Sequence, residues 1–293
     1  MTGKGAGLSV RVRRCLGWLL VVLLASQAAC GGLLAVGGLD GSGPHESSHA
    51  GFNLFSPEQD IELGKLSAEE VTRQLPLLRD ERTTRYVQRL GDKLAANAPG
   101  YHFTYKFYVV ASPEVNAFAL PGGYVFVNAG AVAAARDEGE LAGVLAHEIA
   151  HVALRHGTNQ ASKAYVAKTG KNILDAITGG RRNQVGAFAD SVAGDFAHMV
   201  FMKLDRSAEL QADAEGARLM AAAGYDPLEM ANFFARLGAQ GGEHAPEVLS
   251  DHPDPATRVA ALEEVIPALQ RAQQPARDTA EFRAVRSRLV GRV

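Results

Sequence analysis

Apolar residues recur at helical spacing along most of this chain and alternate in one short region only, residues 103–128. Ser56-Pro57-Glu58-Gln59 supplies a cap residue, a first-turn proline and a glutamine at the third position. It predicts a helix whose inner face carries Ile61, Gly64, Ala68, Val71 and Leu75. A second helix is predicted from Asp80 to about Asn97, with Val87, Leu90 and Leu94 inward. Phe103, Tyr105, Phe107 and Val109 then alternate with more polar neighbours, as a strand does, and 116–128 reads as two short strands around a Gly122–Gly123 turn. Asp137 and Glu140 form a capping box ahead of a buried stripe of Leu141, Val144, Leu145, Ile149 and Val152, with Gly157 as the stop. The pattern weakens over residues 158–200. A helical hairpin with its tip at 179–183 and a lid over a cleft both fit it. A helix over 204–223 ends at Gly224, and Asp226-Pro227 opens another with Met230, Phe233, Phe234 and Leu237 inward. Asp254-Pro255 opens the last packed helix, through Val259, Leu262, Ile266 and Leu269. The fold expected is α+β and mostly helical, with a small antiparallel sheet beside the helix that begins at Asp137.

Composition narrows the class. The chain has 293 residues, 47% hydrophobic and 21% charged, with a formal net charge of −2, which suits one medium globular domain with extensions. The arginines are too few and scattered for a phosphate track, so no nucleic-acid partner is expected. Residues 1–29 have the layout of a secretory signal. Arg11, Arg13 and Arg14 precede the apolar run Leu16–Ala25, and Ala28, Ala29 and Cys30 follow it. Two processing outcomes fit: lipidation of Cys30, which would tie the protein to a membrane, and simple cleavage after Ala28. Residues 30–55 read as a Gly/Ser/His-rich tether, 56–270 as the folded domain and 271–293 as an arginine-rich tail, a surface helix or a frayed end. The cysteines are Cys15 and Cys30, so no internal disulfide holds the body together. The expected location is the bacterial periplasm, with or without a lipid anchor.

The candidate chemistry lies in His147-Glu148-Ile149-Ala150-His151. On a helix, residues four apart sit about 40° from one another, so the two imidazoles can grip one ion while Glu148 reaches a water beside it. This is the H-E-x-x-H arrangement of a zinc site with a glutamate general base. A catalytic zinc needs a third protein ligand. The extended pattern with a third histidine fails, because Leu154 and Gly157 stand where glycine and histidine would be needed. His156 lies about 180° from His147 and is expected to serve the helix C-terminus. Glu209 is the downstream candidate. Asp213 lies one turn on, where it could accept the spare N–H of a ligating histidine. A solvated acidic edge would show the same spacing.

The pair His147–His151 with Glu209-Leu210-Gln211-Ala212-Asp213 resembles the zinc metalloproteases of peptidase family 48, which include HtpX-type proteases, CAAX prenyl endopeptidases and mitochondrial Oma-type proteases. Asn116-Ala-Phe-Ala, Gly122-Gly-Tyr-Val-Phe-Val and the stretch from Asp251-His252 to Arg258 extend the resemblance over residues 56–270. It implies a gluzincin-type fold, one zinc ion held by His147, His151 and Glu209, polypeptide substrates, and a soluble or lipid-anchored envelope enzyme acting in quality control. Asn116, Ala117, Phe118 and Ala119 would offer an edge strand to the substrate; the same segment also reads as an ordinary core strand. The resemblance brings His252 to the cleft. Three roles are open to it: a fourth ligand at rest, a transition-state stabiliser together with Arg258, or a plain hydrogen bonder near a helix start. A rival function is a periplasmic assembly factor that uses a protease fold to hold clients without cutting them.

Overall fold

Ser56 opens the first helix of the described residues, which in this computed structural model are 52–169, 204–239, 252 and 254–291. The expected signal segment and the question of a hairpin or lid from residue 170 onward lie outside them. Ser56 and Gln59 exchange both bonds of a capping box, 3.3 and 2.8 Å, and start α1, Pro57–Gln74. Its inner face differs from expectation: Asp60, Leu63 and Ser67 are buried with Gly64, Ala68 and Val71, while Ile61 is exposed. Asp60 goes inward because a guanidinium waits there, that of Arg155, which meets it at 2.6 and 3.1 Å. Asp80 caps α2, Glu81–Ala95, which buries Val87, Leu90 and Leu94.

Three strands follow: β1 Lys106–Val110, β2 Ala117–Leu120 and β3 Tyr124–Asn128. β2 and β3 pair antiparallel around the turn, where Gly122 and Gly123 take positive φ of 72° and 105°. The sheet is mixed, because its order is β1-β3-β2 and β1 pairs with β3 in parallel. Successive strands alternate in direction here, so placing the third in the middle aligns it with the first. Phe126 stacks between Tyr108 and Phe118, at 4.8 and 5.0 Å, on the face toward α1. The other face, with Phe107, Val109, Val125 and Val127, joins the main core. Residues 76–78 cover the outer side of β1, through Leu78 N–H to Val109 O and Ala111 N–H to Pro76 O.

A short α3, Ala129–Ala134, leads to α4, Glu138–Ala153, which carries the H-E-x-x-H residues and is buried along its whole length. Asp137 caps it, accepting from Glu140 N–H at 3.0 Å. The stop comes earlier than Gly157. Arg155 takes the left-handed conformation at φ 58°, uncommon for a side-chain-bearing residue, and α5, His156–Thr169, begins at once. Bonds from Arg155 to Asp60 and to the Phe55 carbonyl hold that turn. Beyond residue 203 come α6 Arg206–Ala222, α7 Leu228–Gly238, α8 Pro255–Val265 and α9 Ala280–Leu289. α6 lies directly on α4: a β-carbon at Gly216 would fall 2.8 Å from Met230 Cε and 3.1 Å from the His147 nitrogen.

The segment read as a tail packs into the domain. Phe282, Val285 and Leu289 of α9 are buried in the main core. Thr279, Tyr86 and Tyr225 all donate hydroxyls to the buried Glu138 carboxylate, the latter two at 2.9 and 2.7 Å. Three donors satisfy one buried charge, which would otherwise cost several kcal/mol, roughly, to bury. Thr279 thereby ties the segment before α9 to the start of α4, and the two tyrosines tie α2 and the turn after residue 222 to the same carboxylate. Arginine-rich composition concealed this, since the three apolar residues are few but correctly spaced.

Candidate active site

α4 presents His147 and His151 on one side, and α6 brings Glu209 opposite them. The Nε2 atoms of the two histidines are 2.9 Å apart, and Glu209 oxygens lie 3.5 and 3.6 Å from them. His252, before α8, adds Nδ1 at 3.2 Å from His147 Nε2 and at 3.0 and 3.1 Å from the Glu209 oxygens. One donor atom from each of these four buried residues falls within 4.8 Å of all the others. Their chemistry suits a borderline cation: imidazole nitrogens and a carboxylate, the donor types of zinc. Glu148 is buried beside the cluster, with Oε1 3.6 Å from His252 Nε2.

Behind the donors stand two supports. Asp213 Oδ1 lies 2.9 Å from His147 Nδ1, and Arg258 grips the same carboxylate through two bonds of 2.6 and 2.7 Å. Arg258 also reaches Glu209 Oε2 at 3.3 Å and lies over the Phe234 ring, 4.1 Å from its centroid. It also lies 3.2 Å from His147 Nδ1 and 3.5 Å from the His252 carbonyl, so its place is beside His147 with its donors shared among the carboxylates and these neighbours. On the other side His151 Nδ1 is 2.9 Å from His156 Nδ1, and His156 Nε2 is 3.2 Å from Gln211 Oε1. His156 does not serve the end of α4. The reversal at Arg155 starts a new helix and swings its ring inward, behind His151. Counting residues around one continuous helix missed this; the signal available was a histidine just after a break.

The electrostatics follow from burial and pairing. Burial and the Arg258 charge push the His147 imidazole down, but Asp213 and Glu209 outweigh them and hold it up at about 9. Burial and the neighbouring His147 drive His151 well below the usual range. His156 is also lowered, by burial above all, against the bond to Gln211. Burial would raise Glu209 and Asp213, yet bonds from His147 and His252 to the first, and from Arg258 and His147 to the second, keep both low. Glu148 goes the other way: burial raises it despite the pull of His252 and His147. Two ionised carboxylates so placed favour a cation between the imidazoles, while the adjacent carboxyl is poised to carry a proton.

Asn116, Ala117, Phe118 and Ala119 form and precede β2, at one edge of the sheet and packed beside α4. Asn128 N–H donates to Asn116 O at 2.9 Å, so by alternation Phe118 and Leu120 bond toward β3. The backbone groups of Ala117 and Ala119 face the other way.

Residues 81–266 match the profile of Peptidase family M48. The chain is 31% identical over 226 residues to the beta-barrel assembly-enhancing protease of Yersinia pestis, covering 74% of this chain and 46% of that protein. It is 29% identical over 226 residues to the protein of that name in Escherichia coli strain K12, with 74% and 45% covered. The mitochondrial metalloendopeptidase OMA1 of Schizosaccharomyces pombe is 30% identical over 195 residues, 64% of this chain and 54% of the relative. The chain thus spans about half the length of the curated relatives it matches.

Proposed function

The chain belongs to peptidase family M48, and from that membership we propose that it is a zinc-dependent endopeptidase of the bacterial cell envelope, acting on misfolded or unassembled proteins. The observation that carries the reading is the buried set of His147, His151 and Glu209 donors with Glu148 beside it. Two nitrogens and one carboxylate oxygen leave a position for water, as a catalytic rather than a structural zinc site does. Zinc in such a site supplies Lewis acidity toward a carbonyl and lowers the pKa of water to about 7.

The remaining work belongs to the chain's own side chains. Glu148 takes the proton of the attacking water and returns it to the leaving amine; burial raises its carboxyl toward a value suited to both transfers. Asp213 fixes the proton of His147 on Nδ1, and Arg258 holds Asp213, so Arg258 is a positioning residue here rather than an oxyanion donor. The Ala117 N–H is taken by Asn116 Oδ1 at 2.8 Å, and the outward backbone of Ala119 with the Ala117 carbonyl would pair with an extended substrate as a further strand. The signal-like start of the chain favours export to the periplasm, with Cys30 as a lipid anchor. The bacterial relatives are named for enhancing beta-barrel assembly, which favours clients among proteins in assembly. Incubating the purified protein with an unfolded substrate and reading products by mass spectrometry tests the reading. Glu148→Gln should retain zinc and lose cleavage by about 10²-fold or more. Equal turnover in that variant would defeat the mechanism, and absence of cleavage by the wild type would favour the client-holding rival.

For His252 the position of Nδ1 among the donor atoms supports a latch, a fourth ligand at rest that withdraws when substrate arrives. His252→Ala should then raise basal cleavage without loss of zinc. A fall in turnover at unchanged zinc content would instead make it a transition-state stabiliser.

A further inference from the structure

His151 faces the donor cluster through Nε2, 2.9 Å from His147 Nε2. A ligating nitrogen carries no proton, so a neutral His151 must carry its proton on Nδ1. That atom is 2.9 Å from His156 Nδ1, and two ring nitrogens at this distance share one proton. His156 Nδ1 is thereby the acceptor, and the His156 proton sits on Nε2, which faces Gln211 Oε1 at 3.2 Å. The other end of the same amide donates to Ser207 Oγ at 3.2 Å. Every link has one donor and one acceptor only when read in this direction.

We propose that His156 and Gln211 form a neutral hydrogen-bond relay that positions His151, holding the tautomer and ring orientation that a metal ligand needs. The inference rests on the zinc reading above. α6 then serves both histidines: Asp213 supports His147 directly, and Gln211, two residues after Glu209, supports His151 through His156. The relay depends on the break between α4 and α5. Arg155, at φ 58°, is held by Asp60 and the Phe55 carbonyl, while Asn53 donates to Thr158 Oγ1 at 2.8 Å and Leu54 N–H to Ser162 Oγ at 2.9 Å. These bonds fasten the start of α5 to residues 53–60, and with it the ring of His156.

The test is zinc affinity of the purified protein, titrated with zinc alone against a chromophoric chelator. His156→Phe keeps a ring of similar size and removes the acceptor; a loss of about 10- to 100-fold is expected, the usual effect of removing a group that orients a ligand. His156→Asn, which returns an acceptor oxygen near the Nδ1 position, should recover much of that loss although it packs worse. Gln211→Leu, at an exposed position, should lose affinity in the same direction by less. In zinc-loaded wild type the His151 Nδ1 proton should give a slowly exchanging low-field resonance that vanishes in His156→Phe. Wild-type affinity in His156→Phe, or an Asn variant as weak as the Phe variant, would overturn the relay. Should His156→Phe fail to fold by circular dichroism, Gln211→Leu carries the test, and unchanged affinity there overturns it. Failure of the wild type itself to bind zinc would overturn the metal reading and the relay with it, whereas tight wild-type binding with unchanged variants overturns the relay alone.

Discussion

The two histidines of α4 are held by opposite kinds of wall. Behind His147 stands an ion pair, Asp213 with Arg258, buried and bonded twice. Behind His151 stand neutral groups, His156 and Gln211, the second in contact with solvent. A buried charge pair is costly to break on one side, because the partner left behind stays charged in a dry place, at about 3–5 kcal/mol. A neutral bond leaves behind only a polar group, at about 1–3 kcal/mol. The charged wall should therefore govern whether the site folds, and the neutral wall how tightly it binds.

Glu209 touches both histidines and Arg258, so its removal is the severest break in this comparison. Glu209→Ala should lower zinc affinity by more than the roughly 100-fold ceiling of an orienting residue, measured against the same chelator. Full metal occupancy in that variant would mean another third ligand. Next in size is Arg258→Met, which takes the guanidinium from Asp213 and Glu209 and leaves Asp213 with His147 Nδ1 as its remaining partner. It should lower stability in denaturant melts by about 3–5 kcal/mol, and Asp213→Asn added to it should restore part. A loss no greater than that of His156→Phe would erase the distinction between the walls.

An exposed counterpart sharpens the role of burial. Arg288 grips Asp80 at 2.8 and 3.0 Å, much as Arg258 grips Asp213, but at the surface. The Arg288 bond holds Asp80 down at about 2, from an ordinary 3.8. A lowered carboxylate stabilises the fold above its unfolded value, so the contribution is complete above about pH 3.8 and disappears as pH falls through about 2. Asp80→Asn should cost little, the smallest effect of these, and only above that window. Melts at pH 2 and pH 6 should show the difference between wild type and variant closing at the lower pH.

Local rules carried much of the fold into view. Ser56 with Gln59, Asp80, Asp137 and Gly224 mark element ends that depend on neighbours within four residues. Val87, Leu90 and Leu94 needed only helical spacing. What stayed hidden depends on distant partners. Asp60 is buried because of Arg155, 95 residues away. The same pair lets Arg155 break the helix where no glycine stands, and so turned His156 from a helix-end residue into a neighbour of His151. The parallel pairing of β1 with β3 is a matter of strand order, which alternation within a strand does not encode. In the candidate site, His147, Glu148 and His151 were legible from one helical turn, and Glu209 with Asp213 from another. His156 and Gln211 emerge only when the two helices are brought face to face.

The missing side chain at Gly216 sets how that meeting tolerates error. Since α6 approaches the main chain of α4 there, at Ala146 and His147, no side chain at position 216 stands between the two helices to absorb a change in their spacing. Any displacement of α6 is common-mode: Glu209, Gln211 and Asp213 travel together as one rigid carriage. Their relation to one another survives such a shift, while their relation to both histidines is lost at once. The site is thus tuned as a single dimension, the gap between two helices, and a glycine is its gauge.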